Sequence, residues 1–153
     1  MSTTTYLAPY WGELKAITSI DQVLCFVSEH KEKYKTALFS IDLESRQASE
    51  VSLPAGGVAL ENNTTHIWIA GSDCCLYVYD IKKKSLSKLG QPFNAPATNL
   101  VLASNGRLLV TVDTELLILD SLSAKPLQVL GLPAMATALA VDPGGHWAAV
   151  GDQ

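Results

Sequence analysis

The sequence predicts an all-β chain that repeats one unit of four short antiparallel strands. Comparison of the chain with itself reveals a period of 38 to 41 residues. Within each period, short apolar runs alternate with breaks such as Asn-Gly, Ser-Asp and Pro-Gly-Gly. Runs rich in Val, Ile, Leu and aromatic residues, bounded by turn residues, are typical of strands and leave almost no room for helices.

Two independent markers give this period. The first is an aspartate that closes an apolar run, at Asp42, Asp80 and Asp120. The second is a proline that follows the next run, at Pro54, Pro92 and Pro133. Because the two series keep step although the turns between them differ in length, the period indicates a structural repeat.

The predicted strands follow from these markers in chain order. The first unit, 14–53, has strands at 14–20, 22–27, 37–41 and 48–53. The second unit, 56–89, has strands at 58–60, 66–70, 76–79 and 85–89. The third unit, 97–130, has strands at 99–102, 107–112, 115–119 and 126–130. A fourth unit, 136–153, holds only two strands, at 136–141 and 146–152.

The third strand of each unit is predicted to be covered on both faces. Leu116, Leu117, Ile118 and Leu119 are consecutive apolar residues, and a strand tolerates such a run only when both faces are buried. Four-stranded units of this length match the blades of a β-propeller. We therefore expect a partial propeller of about three and a half blades, the N-terminal part of a longer chain, with 3–7 as one further strand.

The incomplete fourth unit carries an expectation of its own. If the chain ends at Gln153, the strand at its edge lacks a neighbour, and open edges of this kind template pairing with other chains. In that case we expect self-association or contact with another subunit.

Residue pairs at the ends of the third strands resemble those of the WD40-type propeller family. Ile41-Asp42, Tyr79-Asp80 and Leu119-Asp120 stand where that family has a Trp-Asp pair. The resemblance covers nearly the whole chain and implies a non-catalytic scaffold that binds protein partners. The family's internal hydrogen-bond network is not carried over, because Ile, Tyr or Leu replaces its tryptophan.

Composition excludes several classes of function. With 11 basic and 15 acidic residues, the net charge of −4 gives no field that would gather nucleic acid or an anionic membrane. The start of the chain lacks the features of a signal peptide, and no apolar run is long enough to cross a bilayer. We therefore expect a cytoplasmic or nuclear protein.

The cysteines indicate a reducing compartment. Cys25, Cys74 and Cys75 are an odd number and show neither a disulfide framework nor a zinc-binding spacing. We expect the adjacent pair to lie on one strand, as core residues that face opposite sides of the sheet.

Recurrent aspartates are the most regular polar feature. Besides the three strand-end residues, aspartates recur at predicted turns, at Asp73, Asp113 and Asp152. Because a carboxylate in a tight turn accepts backbone N–H bonds, we expect all six to be structural. A ring of calcium-binding or catalytic carboxylates is the alternative. Trp68, Leu108 and Trp147 each precede a turn aspartate by five residues and are expected to share one core position.

One basic cluster is predicted on a turn and the following strand of the second unit. It comprises Lys82, Lys83, Lys84 and Lys88. A solvated turn and a patch that binds a protein partner are its two interpretations.

The chain contains no catalytic motif: no nucleophile elbow, phosphate loop, dinucleotide glycine pattern or His-Glu-x-x-His zinc motif. We therefore expect a non-enzymatic scaffold with protein partners and with neither cofactor nor metal. Two alternatives remain. One is the non-catalytic WD subunit of a tRNA guanine-N7 methyltransferase, which 102–152 resembles. The other is a metal-dependent propeller hydrolase or lactonase with axis-facing carboxylates.

Overall fold

The computed structural model describes residues 11–30 and 35–152, and their secondary structure is β throughout. Fourteen strands in this part of the chain form four antiparallel sheets, each built from consecutive strands. Three sheets have four strands and the last has two. The predicted all-β class, with four-stranded antiparallel sheets and a partial fourth sheet, is confirmed. The predicted strand at 3–7 lies outside the described residues.

Each sheet occupies one stretch of the chain. The first contains β1 (Trp11–Ile20), β2 (Val23–His30), β3 (Lys35–Asp42) and β4 (Ala48–Leu53). The second contains β5 (Gly57–Asn62), β6 (His66–Gly71), β7 (Leu76–Asp80) and β8 (Ser85–Leu89). The third contains β9 (Ala97–Leu102), β10 (Arg107–Val112), β11 (Glu115–Asp120) and β12 (Pro126–Gly131). The fourth contains β13 (Ala136–Val141) and β14 (Ala148–Asp152).

Short turns join neighbouring strands because their residues accept left-handed backbone angles. Asp21, between β1 and β2, has φ 50°, and Asp113, between β10 and β11, has φ 51°. Gly106 occupies the turn between β9 and β10 with φ 76°. Asp and Gly are among the residues that adopt this region at the lowest cost, so the turn sequences fix where each strand ends.

The sheets stack through their first strands. β1 lies against β5, β5 against β9, and β9 against β13. This radial stacking of four-stranded sheets is the arrangement of blades in a β-propeller. It leaves the fourth strands, β4, β8 and β12, at the outer edge of the stack.

Both faces of the middle sheets are buried, as the apolar runs predicted. On β6, Ile67 and Ile69 pack towards the first sheet, while Trp68 and Ala70 pack towards the third. The third sheet contributes Leu108 and Val110 to the core that contains Trp68 and Ala70. Burial on β11 is uneven, because Leu116 and Leu119 are buried whereas Leu117 and Ile118 are only partly so.

A glycine brings the first two sheets close together. A Cβ atom added to Gly57 on β5 would lie 2.8 Å from Cγ1 of Val27 on β2, a distance that real Cβ atoms do not show. Val27 is fully buried. Glycine is therefore required here for the close approach of the Val27 side chain to the β5 backbone rather than for an unusual φ.

Two predictions about individual residues are wrong. Neither Cys74 nor Cys75 lies on a strand: Cys74 has φ 64° in the turn before β7, and Cys75, the last residue of that turn, is the only one of the two in the core. Trp68 and Trp147 do not share a position, since Trp68 is 0% exposed and Trp147 is 80% exposed. The residue of the third sheet at the position equivalent to Trp68 is Leu109. Trp68 pairs with Val78 and Leu109 pairs with Ile118, and both Val78 and Ile118 lie two residues before a strand-end aspartate.

Candidate functional site

Aspartates at the ends of the third strands close the outer turns of the first three sheets. An Oδ1 atom of Asp42 accepts the backbone N–H groups of Glu44 and Ser45 at 3.0 and 2.7 Å. The same atom of Asp80 accepts the N–H of Lys83 at 2.8 Å. Asp120 accepts the N–H groups of Leu122 and Ser123 and the Ser123 hydroxyl. These three residues therefore make the turn contacts that their recurrence predicted.

Each of these turns also has the same backbone shape. The fourth residue after each aspartate has a left-handed φ, at Arg46, Lys84 and Ala124. The residue directly after each aspartate donates its N–H to a carbonyl of the turn between the first and second strands: Leu43 to Gln22, Ile81 to Thr65, and Ser121 to Gly106. The three outer turns are thus copies of one structure that carry different side chains.

Hydrogen bonding sets the ionisation of these carboxylates. The pKa of Asp42 lies below its usual value, chiefly because Ser45 donates to the charged form. The pKa of Asp80 is lowered by the Lys83 N–H and by its ammonium group, 3.4 Å away, and that of Asp120 by Ser123. All three therefore stay charged at neutral pH and serve the turns that they close.

The turn aspartates of the other series occupy three different environments. Asp73 accepts the Tyr77 hydroxyl at 2.5 Å and the Cys75 N–H at 3.2 Å. Partial burial opposes ionisation, but these bonds lower the pKa of Asp73 overall. Asp113 is exposed in its hairpin turn, and Asp152 is exposed at the end of β14. Among residues 11–30 and 35–152, no three His, Cys, Asp or Glu side chains converge as a metal site would require.

The basic cluster lies on the outer turn and edge strand of the second sheet. Lys82, Lys83, Lys84 and Lys88 are all exposed. Lys83 pairs with Asp80, whereas the other three make no ion pair with any residue that the structure describes. Lys88 lies opposite Tyr77 on β7, and Tyr77 packs towards the first sheet. Lys88 is therefore on the face of the second sheet that is turned towards the first.

A cleft separates the outer strands of the first and second sheets, directly beside these lysines. Its volume is about 290 Å³. The buried side chains of Cys25 and Ile67 line it, together with Tyr79, Ile81 and Lys84 from the second sheet. The wall on the first sheet has apolar residues at Ile20, Val23 and Ala48 and a polar part formed by Ser40, Asp42, Ser45, Gln47 and Ser49.

The polar wall and the cleft floor differ in character. The hydroxyls of Ser40 and Ser49 lie 2.5 Å apart and hydrogen-bond to each other. Burial raises the pKa of the Cys25 thiol to about 11, and burial together with Cys25 and Asp80 raises the pKa of Tyr79. Both groups are therefore neutral at physiological pH, so Cys25 provides apolar surface rather than a reactive thiolate.

Sequence reasoning found the lysines and missed the cleft. Its two walls come from residues 20–49 and 67–84, which meet only when the sheets stack. One signal was present in the sequence. Ser40 interrupts the apolar run 37–41, and in the structure it lies opposite Ser49 on β4.

Clefts of the same kind open between the other sheets. The cleft between the second and third sheets is lined mainly by apolar residues, among them Phe93, Leu117 and Leu119, with Lys125 as its basic residue. The cleft between the third and fourth sheets is lined in part by Arg107, His146 and Trp147.

Similarity to known structures supports the fold and does not assign a family. No protein-family model and no curated protein matches the sequence. Hydrazine synthase of Kuenenia stuttgartiensis aligns over 95% of this chain and 43% of its own, at 10% identity and a TM-score of 0.75. The computationally designed protein Ika8 aligns over 84% of this chain and 40% of its own, at 14% identity and a TM-score of 0.69. This chain thus spans about two fifths of the length of these two proteins.

The structure shows no helix long and apolar enough to cross a membrane, among the residues that it describes.

Proposed function

We propose that this chain is a non-catalytic, WD40-like propeller scaffold that binds a protein partner through the basic outer turn of its second sheet. The partner supplies an acidic segment. The observation that carries this proposal is the set of three exposed lysines, Lys82, Lys84 and Lys88, which form no ion pair with any residue that the structure describes.

The local charge at this turn is opposite to the charge of the whole chain. The protein has a net charge of −4, yet four of its eleven basic residues fall within 82–88. The overall charge disfavours a long polyanion such as nucleic acid, whereas a short acidic segment meets only the basic turn. Local charge complementarity of this kind favours a protein ligand and increases its association rate.

The turn holds its lysines in a defined arrangement. Asp80 accepts the backbone N–H of Lys83 and pairs with its ammonium group, and Lys84 has a left-handed φ of 53°. An exposed ion pair contributes only about 0.2–1 kcal/mol. Affinity therefore requires several lysines to act together, and a turn that fixes their spacing reduces the entropy lost on binding.

The test is binding of a fluorescein-labelled hexaglutamate peptide, measured by fluorescence anisotropy at two salt concentrations. A triple variant, Lys82→Glu, Lys84→Asn and Lys88→Glu, removes the basic turn, and Asn at position 84 preserves the left-handed backbone. We expect binding that weakens with salt and falls at least tenfold in the variant.

The matched control changes the equivalent turn of the third sheet, through Ala124→Asn and Lys125→Glu. Ala124 has φ 54°, close to that of Lys84. This control should retain the affinity of the unaltered protein. Equal binding by the triple variant, or stronger binding of a labelled single-stranded oligonucleotide than of the peptide, would refute the proposal.

A further inference from the structure

We propose that the cleft between the first and second sheets receives one apolar side chain of the acidic segment, which anchors the segment beside the lysines. This inference rests on the proposed function and adds a recognition rule to it: acidic residues on either side of a single apolar residue.

The position of the cleft connects it to the basic turn. Lys84 lines its rim, and Lys88 lies on the same face of the second sheet. A peptide that pairs with Lys84 therefore lies at the rim of the cleft, and Lys88 extends the basic surface along the same face.

The size and floor of the cleft suit a side chain better than a cofactor. Its volume of about 290 Å³ is just below the range of roughly 300–1,000 Å³ that is usual for small-molecule sites. Ile67, Tyr79 and Ile81 offer apolar surface, and Cys25 is held as the neutral thiol. A leucine-sized group gains most from such a floor, because its burial removes apolar surface from water.

The first-sheet wall decides which part of the ligand enters. Asp42 lies on this wall, and its carboxylate is kept ionised by the Glu44 and Ser45 N–H groups. Ser40 and Ser49 already satisfy each other. A ligand carboxylate inside the cleft would meet a like charge, so the acidic groups remain on the lysine side and the apolar group enters.

Charge distinguishes this cleft from its two counterparts. The cleft between the second and third sheets is more apolar in its lining, but Lys125 is its one basic residue. The cleft between the third and fourth sheets has Arg107 and His146 without a run of lysines. One lysine, Lys84, lines the cleft between the first and second sheets, but Lys82 and Lys83 adjoin it in the same turn and Lys88 follows on the same sheet face, so an anchored acidic segment fits there.

The test compares two labelled peptides, Glu-Glu-Leu-Glu-Glu and Glu-Glu-Ser-Glu-Glu. We expect the leucine peptide to bind at least fivefold more tightly, and to shift the methyl resonances of Ile67 and Ile81 in NMR spectra. The serine peptide should leave those resonances unmoved.

Two variants on β4 test whether the cleft causes the difference. Ser49 lies opposite Ser40 and lines the cleft, whereas Ser52 lies opposite Ala37 on the other face. The exposed position of both serines makes either substitution compatible with folding. Ser49→Phe should abolish the preference for leucine without weakening the serine peptide, and Ser52→Phe should retain the preference.

The outcomes distinguish the apolar anchor in the cleft from the proposed binding at the basic turn. Equal binding of the two peptides, with unmoved Ile67 and Ile81 resonances, would overturn the anchor and leave the basic turn as the binding surface. Failure of the unaltered protein to bind either peptide would overturn both.

Discussion

The indole Nε1 of Trp68 on β6 donates a hydrogen bond of 2.8 Å to the carbonyl oxygen of Ser121, 53 residues further along the chain. Trp68 belongs to the second sheet, and Ser121 follows the strand-end aspartate of the third. The bond therefore joins two sheets that also meet through apolar packing and through the Leu102 N–H, which donates to Glu61 Oε2. It lies inside the core, where Trp68 is fully buried.

Trp68→Phe should destabilise the protein. The change removes the indole N–H and leaves the buried Ser121 carbonyl without its donor, at a cost of about 1–3 kcal/mol. The smaller ring also leaves a cavity, which lowers stability further. Urea unfolding followed by circular dichroism measures the free energy of unfolding. Trp147→Phe is the matched control, since Trp147 is 80% exposed, and it should change stability by less than about 0.5 kcal/mol. Equal effects of the two substitutions would contradict the inter-sheet role of Trp68.

Gly57→Ala should destabilise the contact between the first two sheets by roughly 1–3 kcal/mol, because the added methyl would overlap Val27. Val27→Ala removes the obstructing atoms. The double variant should therefore lose less free energy of unfolding than the sum of the losses in the two single variants. A double-mutant cycle in urea checks this coupling. Additive effects would show that Gly57 is required for another reason.

Two leucines on one strand should differ in their contribution to stability. Leu119 is 1% exposed, and Leu119→Ala should cost about 2–5 kcal/mol. Leu117 is only partly buried and lines the cleft between the second and third sheets, so Leu117→Ala should cost less, roughly 1–2 kcal/mol. Urea midpoints of the two variants test the order, and the reverse order would place Leu117 in the tighter packing.

Stability should fall in acid because of the aspartates that close the turns. The pKa values of Asp42, Asp80 and Asp120 are lower in the folded protein than in an unfolded chain. Their contribution is therefore complete above the unfolded pKa, about 3.9, and is lost as pH falls through the folded values. Urea unfolding at a series of pH values from 7 down to about 2 measures this decline.

Asp→Asn variants isolate the contribution of each turn. Asp120→Asn should lower stability at pH 7 and flatten the acid decline, since the amide cannot gain or lose a proton. Asp113→Asn, in an exposed hairpin turn, is the control for placing an amide at a turn position outside the three outer turns. A triple variant with Asn in place of Asp42, Asp80 and Asp120 tests all three turns together. If its stability fell in acid as much as that of the unaltered protein, other carboxylates would be responsible for the decline.

Repetition made most of the fold predictable. The spacing of Asp42, Asp80 and Asp120 located the third strands because each of these residues closes a turn of the same shape. Such local structure depends on neighbours in sequence, and it can therefore be inferred from sequence alone.

Residue facing was harder to predict than strand position. Counting back from Asp73 and Asp113 matched Trp68 with Leu108, but the turn after β6 spans 72–75 whereas the turn after β10 is two residues long. Because side chains alternate between faces, a shift of one residue moves a side chain to the other side of the sheet. Pairing across the sheets instead matches Trp68 with Leu109.

The candidate cleft depends on how the sheets splay, which no local pattern encodes. The Lys84 rim is visible in the sequence as part of a charged run, but the Ser40 and Ser49 wall comes from another sheet. At the inner strands, the packing of Gly57 against Val27 and the hydrogen bonds of Asn62 to Thr18 and Ser19 hold the two sheets together.

The shared geometry of the outer turns has a consequence for how the surface can diversify. Two residues after each aspartate, the side chain is exposed: Glu44 in the first sheet, Lys82 in the second and Leu122 in the third. One position thus carries an acid, a base and an aliphatic group on the same framework. Because each turn is held by its own aspartate, mutations at one rim need no compensation at the next, and each rim can acquire its own binding preference independently.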